Sequence, residues 1–190
     1  MNTTAIWQEI ITIIKNINPK IYQTLNPPAT DAEIEQLENE IGITLPQSFK
    51  DYLKVFNGQQ HNNYEHLMLG YNAFLSVDEI IKWWHIQMDL FADEEPIEHL
   101  VENKIQPVIW DKNWLPFTNY EGSAMLILDF NAGKNGTNGQ VFTYFSGMDS
   151  EVDEIVIADS FAVFSQNLLS ELQQNHYEIV DDVIVLDYFV

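Results

Sequence analysis

The sequence contains no cysteine and no arginine, and all eight of its basic residues are lysines. Without cysteine the chain cannot form disulfides, thiolate metal sites or a cysteine nucleophile. Without arginine it lacks the planar guanidinium group that holds phosphate in a bidentate pair. The 29 acidic residues bring the formal charge to -21, and such a chain repels a polyphosphate backbone. We therefore expect no direct binding of DNA or RNA.

Long apolar runs are also missing from the sequence. No stretch approaches the ~20 residues that a membrane span needs. The opening MNTTAIWQEIITIIKN has neither a basic start nor a small-residue cleavage site, so it does not resemble a signal peptide. We expect a cytoplasmic protein without membrane association. The chain of 190 residues is 46% hydrophobic, which is typical of one globular domain, placed here at residues 1–190.

The negative charge has two explanations. It can attract a basic protein partner at long range, or it can serve solubility alone. Two acidic clusters fall in predicted loops, where binding residues are common. These candidate partner-binding residues are Asp93, Glu94, Glu95 and Glu98 in the first cluster, and Asp149, Glu151, Asp153 and Glu154 in the second. On charge alone, two solvated loops without a partner explain them equally well.

Residues 30–60 hold the clearest helix signals. Thr30 and Glu33 form an S/T-x-x-E capping box, which predicts a helix that Gly42 ends. Pro46 is expected in the first turn of a second helix, which Asn57-Gly58 closes in a left-handed turn. The two helices present facing apolar stripes at helical spacing, formed by Ile34, Leu37 and Ile41 and by Phe49, Tyr52, Leu53 and Phe56.

The same stretch resembles the start of the SUKH superfamily, which holds fungal regulators of cell-wall synthesis and bacterial immunity proteins against polymorphic toxins. The resemblance is carried by Ile34, Leu37, Glu38, Leu45, Pro46, Phe49, Tyr52, Leu53, Asn57 and Gly58. Later matches follow in the same order: Leu75-Ser76, Trp83-Trp84, Pro116, Asp129, Gly139, Gln140 and Val141, and Ser160-Phe161. The resemblance covers about residues 30–172, and it says more about the fold than about the partner.

The remaining patterns complete the predicted architecture. Helices are predicted over residues 4–17, 76–91 and 160–172, and strands within 61–75 and at 107–117, 124–130, 140–145 and 154–158. The strand at 124–130 is expected to be buried on both faces and to form a hairpin with the strand at 140–145. The extension at 176–190 is either an edge strand or a docked tail. The order of elements predicts an α+β protein, in which helices flank an antiparallel β-sheet in a SUKH (Smi/Knr)-like fold.

No pattern in the sequence indicates a catalytic or metal site. The five histidines lack metal-ligand spacing. The glycines at 133, 136 and 139 precede a strand and do not open a helix, so a hairpin turn is a better interpretation than a phosphate cradle. Tryptophans 83, 84, 110 and 114 either fill the core or line a groove or an interface. We expect no enzyme activity, no cofactor and no metal.

Two functions follow from the resemblance and the charge. The first is a bacterial immunity protein that binds a cognate toxin domain, such as a nuclease, and occludes it through acidic loops and exposed aromatic side chains. The second is a non-catalytic regulatory or scaffolding module related to the fungal regulators. Both expect a protein partner.

Overall fold

The computed structural model describes residues 2–60, 64–91, 102–146 and 156–186. Within these ranges the helices are α1 (Thr3–Ile17), α2 (Pro19–Gln23), α3 (Asp31–Ile41), α4 (Gln47–Leu53), α5 (Val77–Leu90) and α6 (Phe161–Gln174). The strands are β1 (Ala73–Phe74), β2 (Trp114–Pro116), β3 (Thr118–Asn119), β4 (Ala124–Asp129), β5 (Gln140–Phe145), β6 (Val156–Ala158), β7 (Tyr177–Val180) and β8 (Val183–Leu186).

The main sheet has four antiparallel strands in the order β2-β4-β5-β6. β4 and β5 form the predicted hairpin, in which Asp129 pairs with Gln140. β4 lies inside the sheet and buries side chains on both faces. Leu126 belongs to the core on one face and Ile127 to the core on the other. The α+β class and the two-sided central strand are therefore confirmed.

The larger core lies between one face of the sheet and helices α1, α4 and α6. Trp7 on α1 is completely buried at its centre, with its ring centroid 4.8 Å from that of Tyr52 and 6.0 Å from that of Phe161. The Trp7 indole N–H donates to Ser165 Oγ on α6 over 3.0 Å. The first helix, which precedes the segment that carries the resemblance, thus supplies the middle of the core.

A second core covers the opposite face of the sheet. Trp110, Trp114 and Tyr144 are buried there, and the Trp110 and Tyr144 rings meet edge to face with centroids 5.2 Å apart. Trp83 is only partly buried and packs against both cores. Trp84 is also partly buried, and its indole N–H donates to the Lys112 carbonyl over 2.9 Å. Core packing therefore accounts for Trp110 and Trp114.

The S/T-x-x-E pattern forms a capping box at Thr30/Glu33, as predicted, and a second one at Ser76/Glu79. Thr30 accepts from the Glu33 amide while Glu33 accepts from the Thr30 amide, and Ser76 and Glu79 do the same at α5. The second helix of the 30–60 stretch differs from its predicted bounds. Pro46 precedes α4 in the N-cap position, and the helix ends at Leu53, although Phe56 beyond it remains buried.

One predicted strand is replaced by turns, and another begins later than expected. Residues 64–72 contain turns and an isolated bridge between Leu69 and Tyr71 in place of the first strand, while residues 61–63 lie outside the described ranges. β2 begins only at Trp114, because Asp111 Oδ1 accepts from the Asn113 amide and holds the preceding residues in a turn. Residues 154 and 155 of the strand predicted at 154–158 lie outside the described ranges, and β6 is given as Val156–Ala158.

The C-terminal extension is a separate hairpin of β7 and β8. Its turn is Asp181-Asp182, where both residues have positive φ angles of 50° and 63°. The Asp182 carboxylate accepts from Lys20 Nζ and from Asn18 Nδ2, each over 3.2 Å. The Lys20 hydrogen bond is the main cause of a lowered pKa at Asp182. The hairpin is therefore fastened to the junction between α1 and α2.

Candidate partner-binding surface

The two acidic clusters predicted to bind a partner lie outside the described residues. This applies to Asp93, Glu94, Glu95 and Glu98 and to Asp149, Glu151, Asp153 and Glu154. They stay predictions. The described residues instead show what the family-like positions do and which other surface is open to a partner.

Asn57 and Gly58 join two helices. Asn57 Oδ1 accepts from the Val77 amide over 2.8 Å, so it satisfies one free N–H at the start of α5. Gly58 has φ +73°, and a Cβ there would lie 2.3 Å from the backbone nitrogen of Ser76. The pair is needed because the chain turns in a left-handed conformation directly against the backbone that starts α5.

Glu38 connects α3 to α4. Its Oε1 accepts from the Leu45 amide over 2.7 Å and pairs with Lys50 Nζ over 2.6 Å. Burial alone would raise the pKa of Glu38, but the hydrogen bonds from Lys50 and Leu45 outweigh it and the pKa is lowered. Glu38 therefore fastens the corner between the two helices.

Asp129 and Gln140 hold two loops at the end of the β4–β5 hairpin. Asp129 Oδ2 accepts from Gln140 Nε2 over 2.8 Å, and Oδ1 accepts from the Asn131 amide over 2.9 Å. Gln140 Nε2 also donates to the Lys104 carbonyl, and its Oε1 accepts from the Thr137 amide. Burial raises the pKa of Asp129 to about 6, against the opposing effect of these hydrogen bonds. The pair ties the 131–139 loop to the segment around Lys104.

The other family-like positions also serve the fold. Leu45, Phe49, Tyr52, Leu53 and Phe161 are buried in the larger core. Ser160 caps α6 by accepting from the Val163 amide, and Gly139 turns with φ +91° while its N–H donates to the Asp129 carbonyl. These residues build the protein and form no reactive constellation. In the described part of the chain, no group of three or more His, Cys, Asp or Glu side chains is placed to hold a metal ion.

An open surface with converging aromatic and acidic side chains lies beside the C-terminal hairpin. It contains two hollows, and Tyr71 and Tyr120 line both of them. The first hollow, about 230 Å³, is lined by Leu69, Gly70, Tyr71, Asn72, Tyr120, Val185 and Leu186. The second, about 200 Å³, is lined by Tyr64, Glu65, Tyr71, Tyr120, Glu121, Asp181 and Val183. We call the two together the tyrosine surface.

The sequence patterns did not reveal the tyrosine surface. Its members come from three separate places, the 64–72 turns, the β3–β4 turn and the C-terminal hairpin, and no periodicity relates them. The only local clue is the pair of tyrosines at 64 and 71, in the stretch 61–75 that is predicted to form two short strands and a turn. Long-range folding brings Tyr120 within 5.1 Å of Tyr64 and 5.8 Å of Tyr71, measured between ring centroids.

A four-stranded antiparallel sheet flanked by helices, with the family-like residues at the helix corner and the hairpin end, defines a SUKH-like fold. The model of the SMI1 / KNR4 family (SUKH-1) matches residues 28–167. The chain belongs to this family. Across the described residues, no helix combines the length and the apolar character needed to cross a membrane.

Three fungal relatives are similar to the chain over nearly all of its length. "Cell wall assembly regulator SMI1" of Saccharomyces cerevisiae is 20% identical over 95% of this chain and 42% of its own. "KNR4/SMI1 homolog 2" of Debaryomyces hansenii is 19% identical over 92% and 36%. "Glucan synthesis regulatory protein" of Neurospora crassa is 19% identical over 93% and 39%. The chain thus spans about two fifths of the length of these relatives.

Proposed function

We propose that this chain is a non-catalytic protein-binding module of the SMI1 / KNR4 family. The proposal is supported by the role of the family-like residues, whose hydrogen bonds are made within the fold. Polar members such as Asn57, Asp129 and Gln140 are engaged in holding loops and helix ends. Because they are used internally, the surface is left to provide recognition, as is usual for a scaffold that changes partners through its loops.

The charge indicates the kind of partner. At -21 the protein attracts a basic surface at long range and accelerates its capture. Four of the eight lysines pair with carboxylates within the described chain: Lys20, Lys50, Lys54 and Lys104. We propose a cationic protein as the partner and, in the cytoplasm of a bacterium, a cognate toxin domain that is neutralised when this chain covers its substrate-binding face.

The names of the fungal relatives support a second function, which is regulation. Two of them are described as regulators of cell-wall assembly or glucan synthesis. In this alternative the chain binds one of the cell's own enzymes and alters its activity or its assembly. Both functions need a protein interface and neither needs turnover of a substrate.

Co-expression separates the two functions. The chain is produced together with the toxin-like protein encoded next to its gene, with growth and pull-down of the complex as the readouts. Immunity predicts protection of the cell and a stable one-to-one or symmetric complex. Regulation predicts no protection, and recovery of a cellular enzyme whose activity changes when the purified chain is added. A chain that protects nothing and changes the activity of no captured enzyme would contradict the proposal.

A further inference from the structure

We infer that the tyrosine surface is a docking site for a basic side chain, lysine or arginine, presented by the protein partner. This inference rests on the proposed function, since it names the surface by which such a partner is held. It is independent of the acidic clusters at 93–98 and 149–154, because every residue that lines it is described.

The aromatic part of the surface suits a cation. Tyr64 and Tyr120 meet edge to face, and Tyr71 is tilted against Tyr120. The Tyr64 hydroxyl accepts from the Glu121 amide over 2.8 Å, which fixes this ring against the β3–β4 turn. Tyr71 is 46% exposed and is among the most exposed large hydrophobic residues of the described chain. An ammonium or guanidinium group within about 6 Å of such a ring is attracted to its face.

The acidic part of the surface supplies the matching charge. Glu65, Glu121 and Asp181 all line the 200 Å³ hollow and are exposed. In the described ranges, none of the three carboxylates lies within 4.0 Å of a lysine or histidine nitrogen. By contrast, the nearby Asp182 is already paired with Lys20. In the part of the chain that the structure describes, this hollow therefore combines three carboxylates and three aromatic rings, and no lysine or histidine pairs with those carboxylates.

The two hollows differ in a way that fits a long basic side chain. The 230 Å³ hollow is lined mainly by apolar groups, including Leu69, Val185 and Leu186. The 200 Å³ hollow, which shares Tyr71 and Tyr120 with the first, carries the carboxylates. Lysine and arginine have an apolar stem and a charged head, so one side chain can cover Tyr71 and place its head among the carboxylates. A neutral sugar would stack on tyrosine and donate hydrogen bonds to the carboxylates, but it carries no positive charge to match theirs.

The direct test uses small probes on the intact chain. Backbone amide signals are followed by NMR during titration with Nα-acetyl-lysine methylamide, with tetramethylammonium chloride and with a neutral β-linked glucose tetrasaccharide. Shifts confined to residues 64–72, 120–122 and 181–186 with both cations, at constant ionic strength, are the expected result. Cation shifts spread evenly over the acidic surface would overturn the inference, and so would a response to the sugar alone.

The variants separate the ring from the charge. Tyr71→Leu is expected to weaken tetramethylammonium binding at least about fivefold, while Tyr71→Phe, which keeps the aromatic face, stays within about twofold of the wild type. Glu65→Gln, Glu121→Gln and Asp181→Asn together are expected to weaken it about tenfold. Asparagine tolerates the positive φ of residue 181, so the turn is retained. Glu35→Gln, Asp89→Asn and Asp159→Asn form the charge-matched control elsewhere on the surface, and an equal loss there would overturn the inference.

Failure of this inference and failure of the proposed function give different results. If the partner is captured normally by Tyr71→Leu and the probes move no signal at the tyrosine surface, the docking site is wrong and the proposed function stands. If the probes bind there but the chain neither protects nor regulates in the co-expression test, the site stands and the proposed function is wrong.

Discussion

The buried side-chain amide of Gln140 donates to the buried carboxylate of Asp129 over 2.8 Å. The two residues form the β4–β5 pair nearest the hairpin turn. The carboxylate is completely inaccessible to solvent, and Asp111 adds a second negative charge nearby. Family-like sequence positions therefore place an ionisable group where its charged form is costly. We therefore expect the free energy of unfolding to depend on the ionisation of Asp129.

Asp129 should make the protein less stable as the pH rises. Its folded-state pKa of about 6 lies above the ordinary 3.8. For a raised carboxyl pKa, the stabilisation is complete below the unfolded-state value and is lost as the pH rises through about 6. At about 1.4 kcal/mol per pKa unit, the loss approaches 3 kcal/mol. Urea unfolding of the wild type and Asp129→Asn between pH 4 and 7 measures it.

Asparagine keeps only one of the two acceptor oxygens, so the Asp129→Asn variant loses the hydrogen bond from Gln140 or from the Asn131 amide, which adds an offset that does not depend on pH. Relative to wild type, its free energy of unfolding should increase by up to about 3 kcal/mol from pH 4 to pH 7. Asp159→Asn, at an exposed site, is the control and should track the wild type. Parallel curves for Asp129→Asn and wild type would show that the buried carboxyl does not titrate in this range.

Glu38 has the opposite sign. Although burial favours the neutral form, the Lys50 and Leu45 hydrogen bonds lower its pKa. The stabilisation is therefore present above the unfolded-state pKa and is lost as the pH falls through the folded-state value. Glu38→Gln should cost about 1 kcal/mol at pH 7, and the cost should shrink as the pH falls into the acid range. Glu35→Gln, on the exposed side of α3, is the control, and an equal cost in the two variants would refute the assignment.

Gly58→Ala should be far more harmful than Gly42→Ala. Both glycines have φ near +70°, so both variants carry the strain of a left-handed alanine, about 1 to 2 kcal/mol. At Gly42 an added Cβ meets nothing within 4 Å, whereas at Gly58 it meets the Ser76 nitrogen at 2.3 Å. We expect Gly58→Ala to lose at least about 2 kcal/mol more in thermal or urea unfolding. Equal losses would mean that only the φ angle matters at residue 58.

The acidic clusters should affect the rate of partner association. Asp149→Lys with Asp153→Lys reverses two charges in the second cluster and should slow capture of a basic partner in stopped-flow measurements, with a loss that shrinks at high salt. Glu35→Lys with Asp89→Lys makes the same change in net charge at other sites. Equal slowing by both pairs would assign the effect to net charge. Unchanged rates at low salt would remove the 149–154 cluster from the interface.

Local signals in the sequence were sufficient for most of the helices. The Thr30/Glu33 and Ser76/Glu79 capping boxes are decided within four residues, so they could be predicted without tertiary information. The β4–β5 hairpin was predictable for a similar reason, since two apolar strands flank a glycine-rich turn. The contacts of Asn57 and the burial of Asp129 depend on residues that are distant in the sequence. Their roles are therefore visible only in the structure.

The strand predicted at 107–117 begins only at Trp114 for a physical reason. Pro107 to Asn113 contains β-forming residues, but Asp111 hydrogen-bonds the Asn113 amide and stabilises a turn instead. The local sequence does not predict the C-terminal hairpin, because its turn is Asp181-Asp182 and aspartate is a weaker left-handed turn former than the Asn-Gly or Asp-Gly pairs that mark such hairpins. The tyrosine surface depends on three distant segments, so no local pattern encodes it.

Trp7 lies in the core but outside the segment that matches the family, so that segment alone is a poor choice of expression fragment. An expression fragment trimmed to residues 28–167 would discard that indole and leave an empty space among the rings of Tyr52, Phe74 and Phe161. Such a fragment would report the behaviour of a damaged interior, and a lost interaction in it would say nothing about recognition. The shortest useful fragment begins at Asn2, the residue that caps the first helix.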